Sequence, residues 1–137
     1  MKRMGKVLVD IYYTGNNFCA EAIILQGCIS TATTLGEMKR NIKEAIAFHV
    51  ESSLENNDFI PEVFKGDYQL EFKLSIEALL NAYSDIFTKS ALSRITGINE
   101  RQLWHYASGM RKPRPAQRKR IEEGLHKLGS ELLTIGV

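Results

Sequence analysis

Residues 88–114, TKSALSRITGINERQLWHYASGMRKPR, decide how the chain is read. At helical period they spell a helix, a tight turn and a second helix. Thr88 caps a helix over 89–96 that carries Leu92 and Ile95, with small Ala91 and Ser93 beside them. Gly97 supplies the positive φ that stops a helix just past its end. Ile98 is the apolar residue of the turn. Asn99 is a good N-cap for a second helix over 100–108, and Glu100 suits the positive end of its dipole. Leu103 and Tyr106, three apart, face inward. Small or apolar residues at Leu92, Ser93, Ile98, Leu103 and Tyr106, with glycine at Gly97, form the helix-turn-helix pattern, whose second helix is free to enter a major groove. An ordinary helical hairpin would show the same periodicity. It would not account for the basic run that follows.

That run is Arg111, Lys112, Arg114, Arg118, Lys119 and Arg120, with no acid among residues 111–120. Charge of this kind contacts phosphates and contributes affinity without reading sequence; by itself it would also suit a solvated helix start. On the second helix, Asn99, Glu100, Arg101, Gln102, Trp104, His105 and Ser108 avoid the Leu103/Tyr106 face. Arg101 can pair with guanine, Gln102 with adenine, and Glu100 can accept from cytosine. Lys89 and Ser90, at the start of the preceding helix, can meet a phosphate. Trp104 suits either a thymine or sugar contact, or packing in the core or a dimer. The expected DNA-binding set is Lys89, Ser90, Asn99, Glu100, Arg101, Gln102, Trp104, His105, Ser108, Arg111, Lys112 and Arg114.

Working outward, the 137 residues suit one or two domains, and the formal charge of +2 hides an asymmetry. Residues 1–83 hold 8 Lys/Arg and 11 Asp/Glu; residues 84–137 hold 10 and 5. An acidic front joined to a basic back suggests two modules with different partners. Two cysteines, Cys19 and Cys28, are too few for a disulfide framework and lack metal-site spacing, which fits a reducing cytoplasm. Asp10 interrupts the apolar run of the basic start MKRMGKVLVDIYY, which argues against a signal peptide. No stretch is long enough to span a membrane.

The front half reads as a small sheet with one helix. Residues 6–13, KVLVDIYY, form a strand, 14–17 a turn, and 18–25 the second strand of a hairpin. Gly27 breaks it, and 29–31 suit a short third strand. Thr34-Leu35-Gly36-Glu37 is a capping box opening a helix to about Glu55. Its apolar face is Leu35, Met38, Ile42, Ala45, Ile46, His49, Val50 and Leu54. Residues 68–75, YQLEFKLS, alternate strictly, as a half-buried strand does. The expected fold class is α+β: a β-β-β-α-β module over 1–75, resembling a partial ribonuclease H core, then an all-α helix-turn-helix domain over 76–137. Ser75 caps a helix over 76–87. Pro115 opens a last helix over 115–133 with the stripe Ile121, Leu125, Leu128 and Leu132, where Gly124 and Gly129 permit close packing. Residues 134–137 suit a short strand or a frayed tail.

No catalytic or metal-binding set is expected, and no cofactor. Asp10, Glu44 and Glu71 could be imagined as the carboxylates of a two-metal nuclease, but such chemistry needs convergence that nothing in the sequence shows. His49 suits a core position on its helix, and His126 has no visible companion.

Residues 17–51, NFCAEAIILQGCISTATTLGEMKRNIKEAIAFHVE, resemble the HicB antitoxins of toxin–antitoxin pairs. The markers are the hairpin, Gly27-Cys28, Thr34, Glu37, and Asn41, Glu44 and Ala45 at the helix centre. Where the family has Pro-Asp-Leu-Pro-Gly-Cys this chain has Ile-Ile-Leu-Gln-Gly-Cys at 23–28, and where it has Gly-Asp-Thr this chain has Ala32-Thr33-Thr34. The back half is similar to the lambda-repressor-like helix-turn-helix domains that some HicB proteins carry. The resemblance implies an antitoxin, not an enzyme. Its sheet module would bind a HicA toxin, a small basic protein that cleaves mRNA. Its helical module would bind double-stranded operator DNA and repress its own operon, as a homodimer or higher homo-oligomer. The alternative is a stand-alone helix-turn-helix transcription regulator whose front module senses a ligand or only dimerises.

Overall fold

The computed structural model describes residues 4–137; Lys2 and Arg3 of the basic start lie outside the described residues. The chain divides into two compact units, Met1–Ala78 and Leu79–Val137.

In the first unit, β1 (Gly5–Tyr13), β2 (Phe18–Ala22) and β3 (Ile29–Ala32) form an antiparallel meander. Helix α1 (Leu35–Glu55) then crosses back, and β4 (Tyr68–Leu74) adds parallel to β1, giving the order β3-β2-β1-β4. The parallel partner needs such a crossover, because no tight turn can join parallel strands. The period of two decides which face is covered. Val7, Val9 and Ile11 of β1 and Phe18, Ala20 and Ala22 of β2 are buried, and so are Met38, Ile42 and Ile46 of α1. Thr34 caps α1 by accepting from the Glu37 amide at 3.2 Å, the forward half of the expected capping box. Asn41 donates to the Thr31 carbonyl of β3 at 3.4 Å, and Lys39 places its ammonium 5.2 Å over the Phe72 ring of β4, so the helix reaches both edges of the sheet. Cys19 and Cys28 are both free; Cys28 is buried, and that burial pushes its thiol pKa up.

Among the described residues of the first unit, no helix lies on the opposite face of the sheet. Alternation puts Lys6, Leu8, Asp10 and Tyr12 of β1 there, with Glu21 and Lys73 directly beside Asp10. Glu71 lies on that face as well, whereas Glu44 stands on exposed α1 across the sheet. The three carboxylates therefore do not converge. Among the described residues no group of three or more His, Cys, Asp or Glu could hold a metal, and no helix is long and apolar enough to cross a membrane.

The second unit follows from a boundary inside α2 (Ile76–Ala82), whose first turn Ser75 caps through the Ala78 amide. Helices α3 (Lys89–Thr96), α4 (Glu100–Ala107) and α5 (Pro115–Leu133) complete it. Its core holds Leu80, Leu92, Ile98, Leu103, Tyr106 and Ile121. A Cβ on Gly124 would stand 2.9 Å from the Ile95 carbonyl oxygen, so α5 passes α3 closely enough to need glycine there. Gly129 meets nothing of the kind.

Several expected boundaries move. β2 ends at Ala22, not at 25, because residues 22–28 turn on themselves through Leu25 N–H to Ala22 O and Cys28 N–H to Leu25 O. α2 ends at Ala82, not at 87, where the Ser84 hydroxyl bonds the Asn81 carbonyl and competes with the helical ladder. Leu54 is 57% exposed: it lies about 100° around α1 from Ser53, which is the residue buried in that turn. Leu132 is exposed too, because α5 has 19 residues and its partner α3 only 8, so the last turns overhang. Residues 134–137 form no strand.

Ile46→Ala should cost about 2–5 kcal/mol of stability and Leu54→Ala about 0.5 kcal/mol or less. Urea unfolding of the full chain, followed by far-ultraviolet circular dichroism, measures both.

Candidate nucleic-acid interface

The site is built around the turn between α3 and α4. Thr88 opens α3 by accepting from the Ala91 amide at 3.0 Å. Thr96, buried near its end, donates its hydroxyl to the Leu92 carbonyl at 2.7 Å and accepts from the Ile98 amide at 3.2 Å. Gly97 takes φ +73°, the left-handed conformation that ends α3. Asn99 then starts α4, its side chain accepting from the Arg101 amide at 2.8 Å. Ile98 is buried in the turn, and Leu103 and Tyr106 anchor the inner face of α4.

Two long-range bonds fix this arrangement. Asn81 of α2 donates to the Ala107 carbonyl at 2.8 Å, holding the end of α4. Arg120 of α5 donates to the Gly97 carbonyl at 3.1 Å, holding the turn. Arg120 also meets Gln117 at 3.3 Å, so the first turns of α5 face the turn. Between them opens a cleft of about 450 Å³, lined among others by Arg101, Arg111, Arg120, Gln102, Gln117 and His105.

Each expected residue has a definite place. Ser90, Asn99, Glu100, Arg101, Trp104 and Ser108 are exposed, as are Arg111, Lys112 and Arg114. Gln102 is half-buried and donates to the Tyr106 hydroxyl at 2.9 Å, so its amide is engaged inside the unit. His105 is half-buried, and its Nδ1 is shut off from solvent with no hydrogen-bond partner. Trp104 is 57% exposed, which removes it from the core of the unit. Lys89 is buried and sets its ammonium 4.6 Å over the Trp104 ring, a cation–π contact that orients the indole outward from α4. The sequence identified Lys89 by charge as a phosphate contact. The first turn of α3 packs beside the middle of α4, which sets the ammonium over the indole.

Sequence reasoning did not bring Gln117 to the site, and it read Arg120 only as one cation in a run. The bond from Arg120 to Gly97 spans 23 positions, and its nearest sequence signal was Gly124, which lets α5 approach α3.

The turn makes its own prediction. A Cβ at Gly97 would stand 2.8 Å from Arg120 Nη2 and would occupy a left-handed backbone position. Gly97→Ala should cost about 1–2 kcal/mol, and Gly97→Asn less, since asparagine tolerates that conformation. Fluorescence of the single tryptophan, Trp104, reports the loss in urea titrations.

Comparison with known proteins places the chain. A family model described as a HicB-like antitoxin of a bacterial toxin–antitoxin system matches residues 19–95. That span runs from β2 into α3 and leaves out α4 and the basic run. No curated protein matches significantly, and no solved structure does. With more than half of its residues matched, the chain belongs to the HicB-like antitoxin family of bacterial toxin–antitoxin systems.

Proposed function

We propose that the chain is an antitoxin of two parts. Its front module, 1–75, neutralises a HicA-type mRNA-cleaving toxin, and its back module, 76–137, represses its own operon as a helix-turn-helix DNA reader. The observation that carries the DNA half is the division of α4 into two faces. Leu103 and Tyr106 are buried, while Glu100, Arg101, Trp104 and Ser108 stand exposed beside a flank of Arg111, Lys112 and Arg114. Such a helix can enter a major groove with its N-terminal residues at the base edges. The family match supports the toxin half, and an acidic front module suits a basic partner.

Arg101 reads guanine, with Glu100 able to accept from cytosine. Trp104, held outward by Lys89, covers thymine methyls or sugars. Asn99 and Ser90 lie at helix starts where a phosphate is favoured. Arg111, Lys112 and Arg114 bind phosphates. His105 and Gln102, being half-buried, shape the wall behind them. Paired half-sites about 34 Å apart call for a homodimer or a higher homo-oligomer. The role is regulatory and needs no cofactor.

Two experiments test the halves separately. The reading expects a short basic reading frame beside its gene whose product alone arrests growth, and co-expression with this chain should restore it; a neighbour harmless by itself would leave only the stand-alone regulator. On operator DNA, Arg101→Ala should relax base choice by about 1–3 kcal/mol, whereas Lys112→Ala should weaken all sequences alike and flatten the salt slope by about one. If both variants bind like the parent chain, α4 is not the reader.

A further inference from the structure

The outer face of α1 exposes apolar side chains that the described residues of its own unit do not cover, and it is acidic where a helix least favours acid. Ala47, Phe48, Glu51, Leu54 and Glu55 are all exposed and, at i, i+1, i+4, i+7 and i+8, share one face of the helix. Phe48 is 74% exposed and Leu54 57%; Phe59, in the loop that follows, is 87% exposed. Glu44 lies one turn earlier on the same face, and Asp58 adjoins Phe59. From Glu44 to Phe64 there are five acids and no lysine or arginine.

Two features separate this strip from ordinary solvated surface. First, the C-terminal end of a helix is the negative end of its dipole, where cations are favoured. The last turn of α1 carries no basic residue, and among the described residues neither Glu51 nor Glu55 is in a salt bridge. A local preference broken without an internal compensation points to an external one. Second, the bare face of the sheet also exposes Leu8, Tyr12 and Ile29, but there Lys6 and Lys73 stand among Asp10, Glu21 and Glu71. Mixed charge selects no sign of partner. The α1 strip does.

We infer that the outer face of α1 from Glu44 to Glu55, continued by Phe59, is the docking surface for the basic toxin, with Phe48 and Phe59 as apolar anchors and the carboxylates as a surrounding ring. This rests on the toxin reading above and adds the surface that carries it. Aromatic anchors excluded from water supply most of the affinity of such interfaces, and the charged rim sets encounter rate and selectivity. A second copy of this chain is a poorer occupant. Two-fold pairing of the strip would set the carboxylates of one copy against those of the other.

The test measures binding of the full chain to the small basic protein encoded beside it, the toxin carrying an inactivating substitution. Phe48→Ala should weaken binding by about 10- to 100-fold. The double variant Glu51→Lys/Glu55→Lys should slow association and remove most of its salt dependence. Tyr12→Ala, on the bare sheet face, should bind as the parent does. Phe48 and both glutamates are exposed, so circular dichroism of the variants should match the parent. If the parent binds and the α1 variants bind equally well, the surface is misplaced while the toxin reading stands. If the parent does not bind, both fail. If Phe48→Ala leaves toxin binding intact and instead dissociates the chain's own oligomer, the strip is a contact between copies and the inference is overturned.

Discussion

The arrangement of the back half depends on one backbone constraint: Gly97 must sit in a left-handed conformation for α4 to leave α3 at its observed angle. Everything around the turn serves that geometry. Thr96 satisfies the carbonyl of Leu92 and the amide of Ile98, Ile98 fills the space beneath, and Asn99 begins the next helix at once. Arg120 bonds the Gly97 carbonyl, so a cation that might have served only as surface charge also fixes the angle of α4. The outcome is a short helix with a buried apolar seam and an outward polar ridge, carried on a unit whose first residues of α5 present further cations.

The front half obeys a different constraint. A four-stranded sheet with one crossover helix can cover only one of its faces. The covered face is filled by Val7, Val9, Ile11, Met38, Ile42 and Ile46, all 0–1% exposed. The outward sides of sheet and helix are then free to differ in chemistry, and they do. The sheet face mixes its charges, while the end of α1 concentrates acid around exposed aromatic rings. Under the proposed function, in which one module binds a partner protein and the other DNA, such a separation lets each surface ignore the other's ligand.

Much of this was legible in the sequence where periodicity was strong. The alternation at Tyr68–Leu74, the capping box at Thr34 and the Gly97–Asn99 turn correspond to the observed β4, the start of α1 and the junction of α3 with α4. What was hidden depends on long-range placement. Hydrophobicity put Leu54 and Leu132 on apolar stripes, but a stripe is buried only where a partner element extends beneath it. Charge alone brought Lys89 to notice, whereas the indole beside it across the turn is settled only by how α3 and α4 pack. Phe48 and Phe59 did not stand out, since exposure of a large apolar residue cannot be read from its identity. The family match likewise ends within α3, so the reading of α4 stands on its two-faced pattern and its basic flank.

The central claim is that α4 lies in a major groove. Guanine N7 faces that groove alone. Methylation protection of the promoter DNA upstream of its own operon, with the full chain bound, therefore tests it most directly. The account predicts N7 protection in two patches about one helical turn, roughly 34 Å, apart. Binding that retards the same DNA while leaving every guanine N7 open to methylation would contradict it.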